Sequence, residues 1–137
     1  MVVWKVAMFI VARVALLGTL LAFLSGCSGA VDAVLTERHF ITKGTLNGFQ
    51  IGEDKAHVLE QTKSLGVYAI TAHQTDIYQF QLFKLKDISS EESTALAKLD
   101  YWSFEKVEKP AGAFYKLHFV DGRLASISYE RPRLGIK

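Results

Sequence analysis

One thiol, four imidazoles and two adjacent pairs of carboxylates are the side chains of this 137-residue sequence whose chemistry could define a site. Cys27 is the sole cysteine, preceded by Leu24-Ser25-Gly26, so an intramolecular disulfide framework and a multi-cysteine zinc site are both excluded. His39, His57, His73 and His118 are 18, 16 and 45 residues apart, and none forms the four-residue pair that puts two metal ligands on one helix face. Glu53-Asp54 and Glu91-Glu92 each open a predicted helix, where the backbone dipole already favours negative charge. Neighbours at a helix start point to different sides, which does not suit a proton-sharing dyad. No Gly-x-Ser-x-Gly nucleophile elbow and no phosphate-cradling glycine loop is present. These residues predict neither catalysis nor a cofactor or metal. Binding is the alternative, and the candidates are the aromatic cluster Tyr101, Trp102 and Phe104 and the basic C-terminal residues Arg131, Arg133 and Lys137. Strand alternation would place Trp102 and Phe104 on one face and Tyr101 on the other. The basic residues would suit acidic lipid head groups or an acidic partner.

The first 26 residues differ in kind from the rest, since 20 of them are apolar and only Lys5 and Arg13 are charged. Val14 to Leu24 is an uncharged run of 11 residues, the length of a signal-peptide core and too short to cross a bilayer. Extending it back to Val6 places Arg13 near the middle, where a charge costs roughly 2.5–3.5 kcal/mol on insertion. Leu24-Ser25-Gly26-Cys27 resembles the lipobox of bacterial lipoproteins. The resemblance implies cleavage between Gly26 and Cys27, a diacylglyceryl thioether on Cys27 and acylation of the new amine. Three acyl chains would make membrane attachment effectively permanent. Ser28 stands where an aspartate would retain such a protein in the inner membrane, so the implied location is the outer membrane, periplasmic face.

The remaining 111 residues are formally neutral, because removing Lys5 and Arg13 from 16 basic residues leaves 14, equal to the 14 acidic ones. Nucleic-acid binding thereby loses its electrostatic basis. Forty-eight of the 111 are apolar and 13 are aromatic, enough for one core. The expected organisation is a signal peptide over 1–26, a lipidated N-terminus and flexible tether over 27–45, and a single α+β domain over 46–137. Within that domain Gly52 is the expected N-cap of a helix carrying Val58, Leu59, Thr62 and Leu65, with Gly66 at its C′ position. Val67 to Leu85 alternates with period two and predicts two antiparallel strands, with Tyr68, Ile70 and Ala72 as one set and Tyr78, Phe80 and Leu82 as another. Ser89 and Glu92 match a capping box before a second short helix ending near Asp100. A strand from Tyr101 to Val107 follows, and Asp121-Gly122 predicts a type I′ hairpin between Phe114–Val120 and Arg123–Glu130. Phe119 would then face Leu124 and Leu117 would face Ser126, leaving Ile127 on the wrong face unless a bulge intervenes.

The stretch IGEDKAHVLEQTKSLG at Ile51–Gly66, ahead of FYKLHFVDGRLASI at Phe114–Ile127, resembles the SmpA/OmlA (BamE-like) family of small outer-membrane lipoproteins. The positions that carry the likeness are Cys27, Ile51, Gly52, Val58, Leu65, Gly66, Phe119, Asp121, Gly122 and Leu124. Two departures stand beside it: no proline follows Gly66, and residues 67–107 are longer than the family's usual connection. The resemblance implies two short helices packed on one face of a small antiparallel sheet, no catalytic chemistry, and an accessory role in outer-membrane protein assembly. The expected function is therefore that of a membrane-anchored periplasmic binding or scaffold lipoprotein with an envelope protein as partner. The same arrangement of helices and sheet occurs in β-lactamase-inhibitory proteins, so an inhibitor or protective lipoprotein acting on a periplasmic enzyme is the alternative. Mass spectrometry of the purified N-terminus should find acylated Cys27; an intact Met1 or Met8 terminus would refute the lipoprotein reading.

Overall fold

The computed structural model describes residues 36–109 and 111–133, which belong to one folded unit. It is an α+β structure with eight strands and two helices: β1 (Thr36–Ile41), β2 (Thr45–Leu46), β3 (Phe49–Gln50), α1 (Lys55–Ser64), β4 (Ala69–Gln74), β5 (Ile77–Lys84), α2 (Ser90–Ala97), β6 (Tyr101–Lys106), β7 (Ala113–Val120) and β8 (Arg123–Pro132). Six strands form one antiparallel sheet in the order β1-β8-β7-β6-β4-β5, and β2 with β3 makes a separate two-stranded ribbon.

Alternation along the strands gives the sheet two unlike faces. In β7, Ala113, Tyr115, Leu117 and Phe119 are buried, while Phe114, Lys116, His118 and Val120 point to the other side. Ile70 and Ala72 of β4, Trp102 and Phe104 of β6, and Leu124, Ile127 and Tyr129 of β8 share the buried face. Val58 and Leu59 of α1 and Leu96 of α2 belong to the same core, so both helices cover that one face. The β2–β3 ribbon adds Phe49, fully buried against Phe104 and Tyr115 with ring centroids 6.0 and 5.8 Å apart. Asn47 Nδ2 donates to Tyr115 Oη at 3.0 Å, and burial pushes that phenol's pKa above its ordinary value.

The helix ends show how local chemistry sets the elements. Asp54, and not Gly52, is the N-cap of α1, its carboxylate accepting from the His57 N–H at 2.9 Å. Gly52 instead takes φ +98° in the turn before it, a conformation that costs glycine little. This turn docks on the β7–β8 hairpin through Gly52 N–H to Leu124 C=O and Leu124 N–H to Glu53 C=O, both 2.8 Å. Gly66 closes α1 at the expected C′ position with φ +73°. Ser89 and Glu92 form the expected capping box, with α2 ending at Ala97 rather than near Asp100. Lys55 fastens the two helices to each other: its Nζ donates to Asp100 Oδ1 at 3.0 Å and to Ala97 C=O at 2.9 Å, and lies 5.4 Å from the Phe119 ring centroid.

Two further expectations change, the extent of the tether and the place of Tyr68. Residues 36–45 are not tether, since Thr36–Ile41 pairs along its length with Ile127–Pro132 as an edge strand. The rest of the expected tether, residues 27–35, lies outside the described residues, as do the signal segment, Gly26 and Cys27. The alternating set at Phe80 and Leu82 faces away from the core, which takes Phe83 and Leu85 instead. Tyr68 precedes β4 and is exposed, so it does not join Ile70 and Ala72. The hairpin turn is as expected, with Asp121 at φ +50° and Gly122 at φ +75°. A register shift between His118 and Phe119 then pairs Leu117 with Ile127 and His118 with Ser126, which brings Ile127 into the core.

Two outcomes follow from this packing. Trp102→Ala should lower unfolding free energy by about 3–5 kcal/mol, whereas Phe114→Ser on the other face should stay within about 0.5 kcal/mol, as measured by urea unfolding. The Ser89 backbone and side-chain hydrogen bonds hold the Glu92 carboxyl below its ordinary pKa. A depressed folded-state pKa stabilises above the unfolded value and is lost as pH falls through the folded one. The stability advantage of the wild type over Glu92→Gln should accordingly be complete at neutral pH and disappear on acidification through the carboxylate range.

Candidate binding surface

The helices leave the second face of the sheet open, and its register assembles side chains from distant parts of the sequence. His73 pairs with Tyr101, Tyr101 with His118, and His118 with Ser126. Phe80 of β5 completes this row beside His73 at a centroid distance of 4.8 Å. The His73 and Tyr101 rings meet edge to face at 4.9 Å, and Tyr101 stacks on His118 at 4.3 Å with only 9° between planes. Four rings from four strands thus form one continuous ladder, with separations typical of favourable aromatic pairs.

A second row runs parallel to it. Leu82, Thr71, Ser103, Lys116, Ser128 and Phe40 are successive cross-strand partners across all six strands. Ser103 Oγ donates to Thr71 C=O at 3.2 Å, which holds the hydroxyl in the sheet plane. Between the two rows, Thr71, His73, Phe80, Tyr101, Ser103 and Lys116 line a depression of about 150 Å³. Phe80 and Leu82 on its β5 side are each 64% exposed, and Phe40, at the far edge of the same face, is 69% exposed. His73 Nδ1 is sealed from solvent with no hydrogen-bond partner among the described residues.

The surface offers ring faces, one ammonium at Lys116 and short hydroxyls. That chemistry suits contact with another polypeptide by stacking and apolar burial. Among the described residues no group of three or more histidines, cysteines or carboxylates could hold a metal ion, and no helix is long and apolar enough to cross a membrane.

Of the expected surface residues, Tyr101 alone lies at the centre of this face. Trp102 and Phe104 are corrected from surface to core. They are 1% and 5% exposed and face the helices, with Trp102 Nε1 donating to Leu99 C=O at 3.0 Å and Phe104 stacked on Tyr115 at 5.0 Å. Arg131 pairs across the sheet with Glu37, on the helix-bearing side, and meets Glu108 at 3.5 Å. Glu108 also binds Lys106 at 2.8 Å and holds that ammonium's pKa above its usual value. Arg131 is therefore part of an ion-pair cluster remote from Tyr101. Arg133 is exposed beyond the end of β8, and Lys137 lies outside the described residues. The five expected surface residues that are described, Tyr101, Trp102, Phe104, Arg131 and Arg133, do not form one surface.

His73 and His118 stand out in the sequence only as isolated imidazoles, Phe80 only as one of an alternating set and Lys116 not at all, because their proximity follows from strand register alone. One signal was legible: apolar residues occupy both alternating sets near the end of β5, Phe80 and Leu82 in one and Phe83 and Leu85 in the other. Two apolar faces on a strand of a one-sided sheet require that one set be exposed. Set against known protein families, characterised proteins and solved structures, the chain matches none.

Proposed function

We propose that this chain is a lipid-anchored protein of the bacterial cell envelope that acts by binding another envelope protein through the open face of its sheet. The observation that carries the reading is the Phe80–His73–Tyr101–His118 ladder with its exposed apolar border. Exposed rings and apolar side chains gathered on one face of a small domain are a usual mark of a partner site. Anchoring rests on Leu24-Ser25-Gly26-Cys27, and Ser28 favours the periplasmic face of the outer membrane. Confinement to a membrane raises the effective concentration of partners held at the same surface, so a modest patch suffices for function. The partner that the SmpA/OmlA likeness implies is a complex assembling outer-membrane proteins.

The test is photocrosslinking in intact cells from a photoreactive residue placed at Tyr101 or Lys116, with Glu60 on the exposed side of α1 as control. The expected result is one envelope protein captured from both sheet positions and not from Glu60. Equal capture from all three positions, or none from the sheet, would contradict the proposal.

A further inference from the structure

The two edges of the six-stranded sheet are unlike. β1 is protected in the usual way for a natural edge, carrying Glu37, Arg38 and His39 within six residues. β5 has eight residues, Ile77–Lys84, with no proline and no charge before Lys84 at its end; its ladder with β4 is regular over residues 81–84 and carries a register shift between Ile77 and Gln81. Its exposed side chains include Ile77, Phe80 and Leu82. One margin of β5 is paired with β4 and, among the described residues, no strand pairs with the other. A long, uncharged, apolar edge of this kind is a template for another strand.

The pattern of this strand is complementary to itself. If two copies of β5 run antiparallel with Gln81 on the two-fold axis, Phe80 stands opposite Leu82 of the second copy and Ile77 opposite Leu85. Asp76 lies in the turn before β5 and Lys86 in the turn after it, so this pairing brings Asp76 of one copy to the same end as Lys86 of the other, with opposite charges flanking both ends. Asp76 and Lys86 are both exposed. A shift by one residue would put Phe80 and Leu82 on the face opposite their counterparts, and of the registers that keep the face, centring on Gln81 is the one that sets Phe80 opposite Leu82 on both sides of the axis.

We propose that β5 pairs antiparallel with β5 of a second copy of this chain, centred on Gln81, making a continuous twelve-stranded sheet. The apolar contact between Phe80 and Leu82 of the two copies joins both ring ladders into one extended face, and the opposite charges of Asp76 and Lys86 in the flanking turns favour this pairing. The pairing depends only on the folded unit and stands whether or not Cys27 is acylated.

Disulfide trapping in cells expressing the full chain tests it. Residues directly opposite across an antiparallel pair have Cα atoms about 4.5–5.5 Å apart, within disulfide range. Gln81→Cys should shift under mild oxidation to a species of twice the monomer mass, while Arg38→Cys on the β1 edge should remain at the background set by the parent chain. Leu82→Lys should abolish the Gln81→Cys dimer without altering the circular dichroism of the monomer, because the leucine is exposed. Asp76→Lys and Lys86→Asp should each reduce trapping, and the two together should restore it. Trapping of Gln81→Cys at the Arg38→Cys level, a disulfide to a different protein, or failure of the double exchange to restore the dimer would overturn the proposal.

Discussion

The register of the β7–β8 hairpin governs both faces of this protein. Asp121 and Gly122 fix the turn, so Val120 stands opposite Arg123 and Phe119 opposite Leu124. Carried on without interruption, that register would send Ile127 to the open side. The shift between His118 and Phe119 absorbs Ala125 and lets Leu124 and Ile127, three residues apart, both reach the core. Because side chains alternate with period two, the same shift that seats Ile127 below Leu117 also aligns His118 with Ser126 on the other side. The buried wall under the helices and the ring ladder facing away from them are two results of one irregularity.

The helices are held where they can cover only one of these faces. The turn before α1 bonds to the hairpin backbone at Leu124, and Arg123 Nη1 donates to Gly52 C=O at 2.9 Å. Lys55 then spans from α1 to the end of α2 and to Asp100, whose carbonyl in turn accepts from Phe119 N–H at 2.8 Å. Helix start, helix end and hairpin meet at Phe119. Its ring packs on Trp102 at 4.7 Å, the largest side chain of the core. With both helices committed to that side, the side chains at Phe40, Phe80, Leu82 and Phe114 stay exposed.

Sequence legibility followed the range of the interactions. Gly66 at the end of α1, the Ser89–Glu92 box and the Asp121-Gly122 turn depend on residues within three or four positions of each other, and all were readable. The cap of α1 was displaced by two residues because Gly52 serves the docking turn on the hairpin, a contact made 72 residues away at Leu124. β1 was read as tether since TERHFI has little hydrophobic pattern of its own; it is a strand because β8 supplies its hydrogen bonds. Tyr101 could be placed opposite Trp102 by alternation alone. His73 and His118 could not be placed beside it, because only the pairing of β4 and β7 with β6 makes them neighbours.

In the proposed function the sheet needs only to keep its open face presented while the helices seal the other. Solvent paramagnetic relaxation, recorded by NMR on the folded protein, tests this division of faces directly. The account predicts strong broadening of Phe80, Phe114 and Phe40 ring protons, with the Trp102 indole N–H and the Ile127 methyls protected. Broadening of Trp102 and Ile127 together with protection of Phe80 and Phe114 would contradict it.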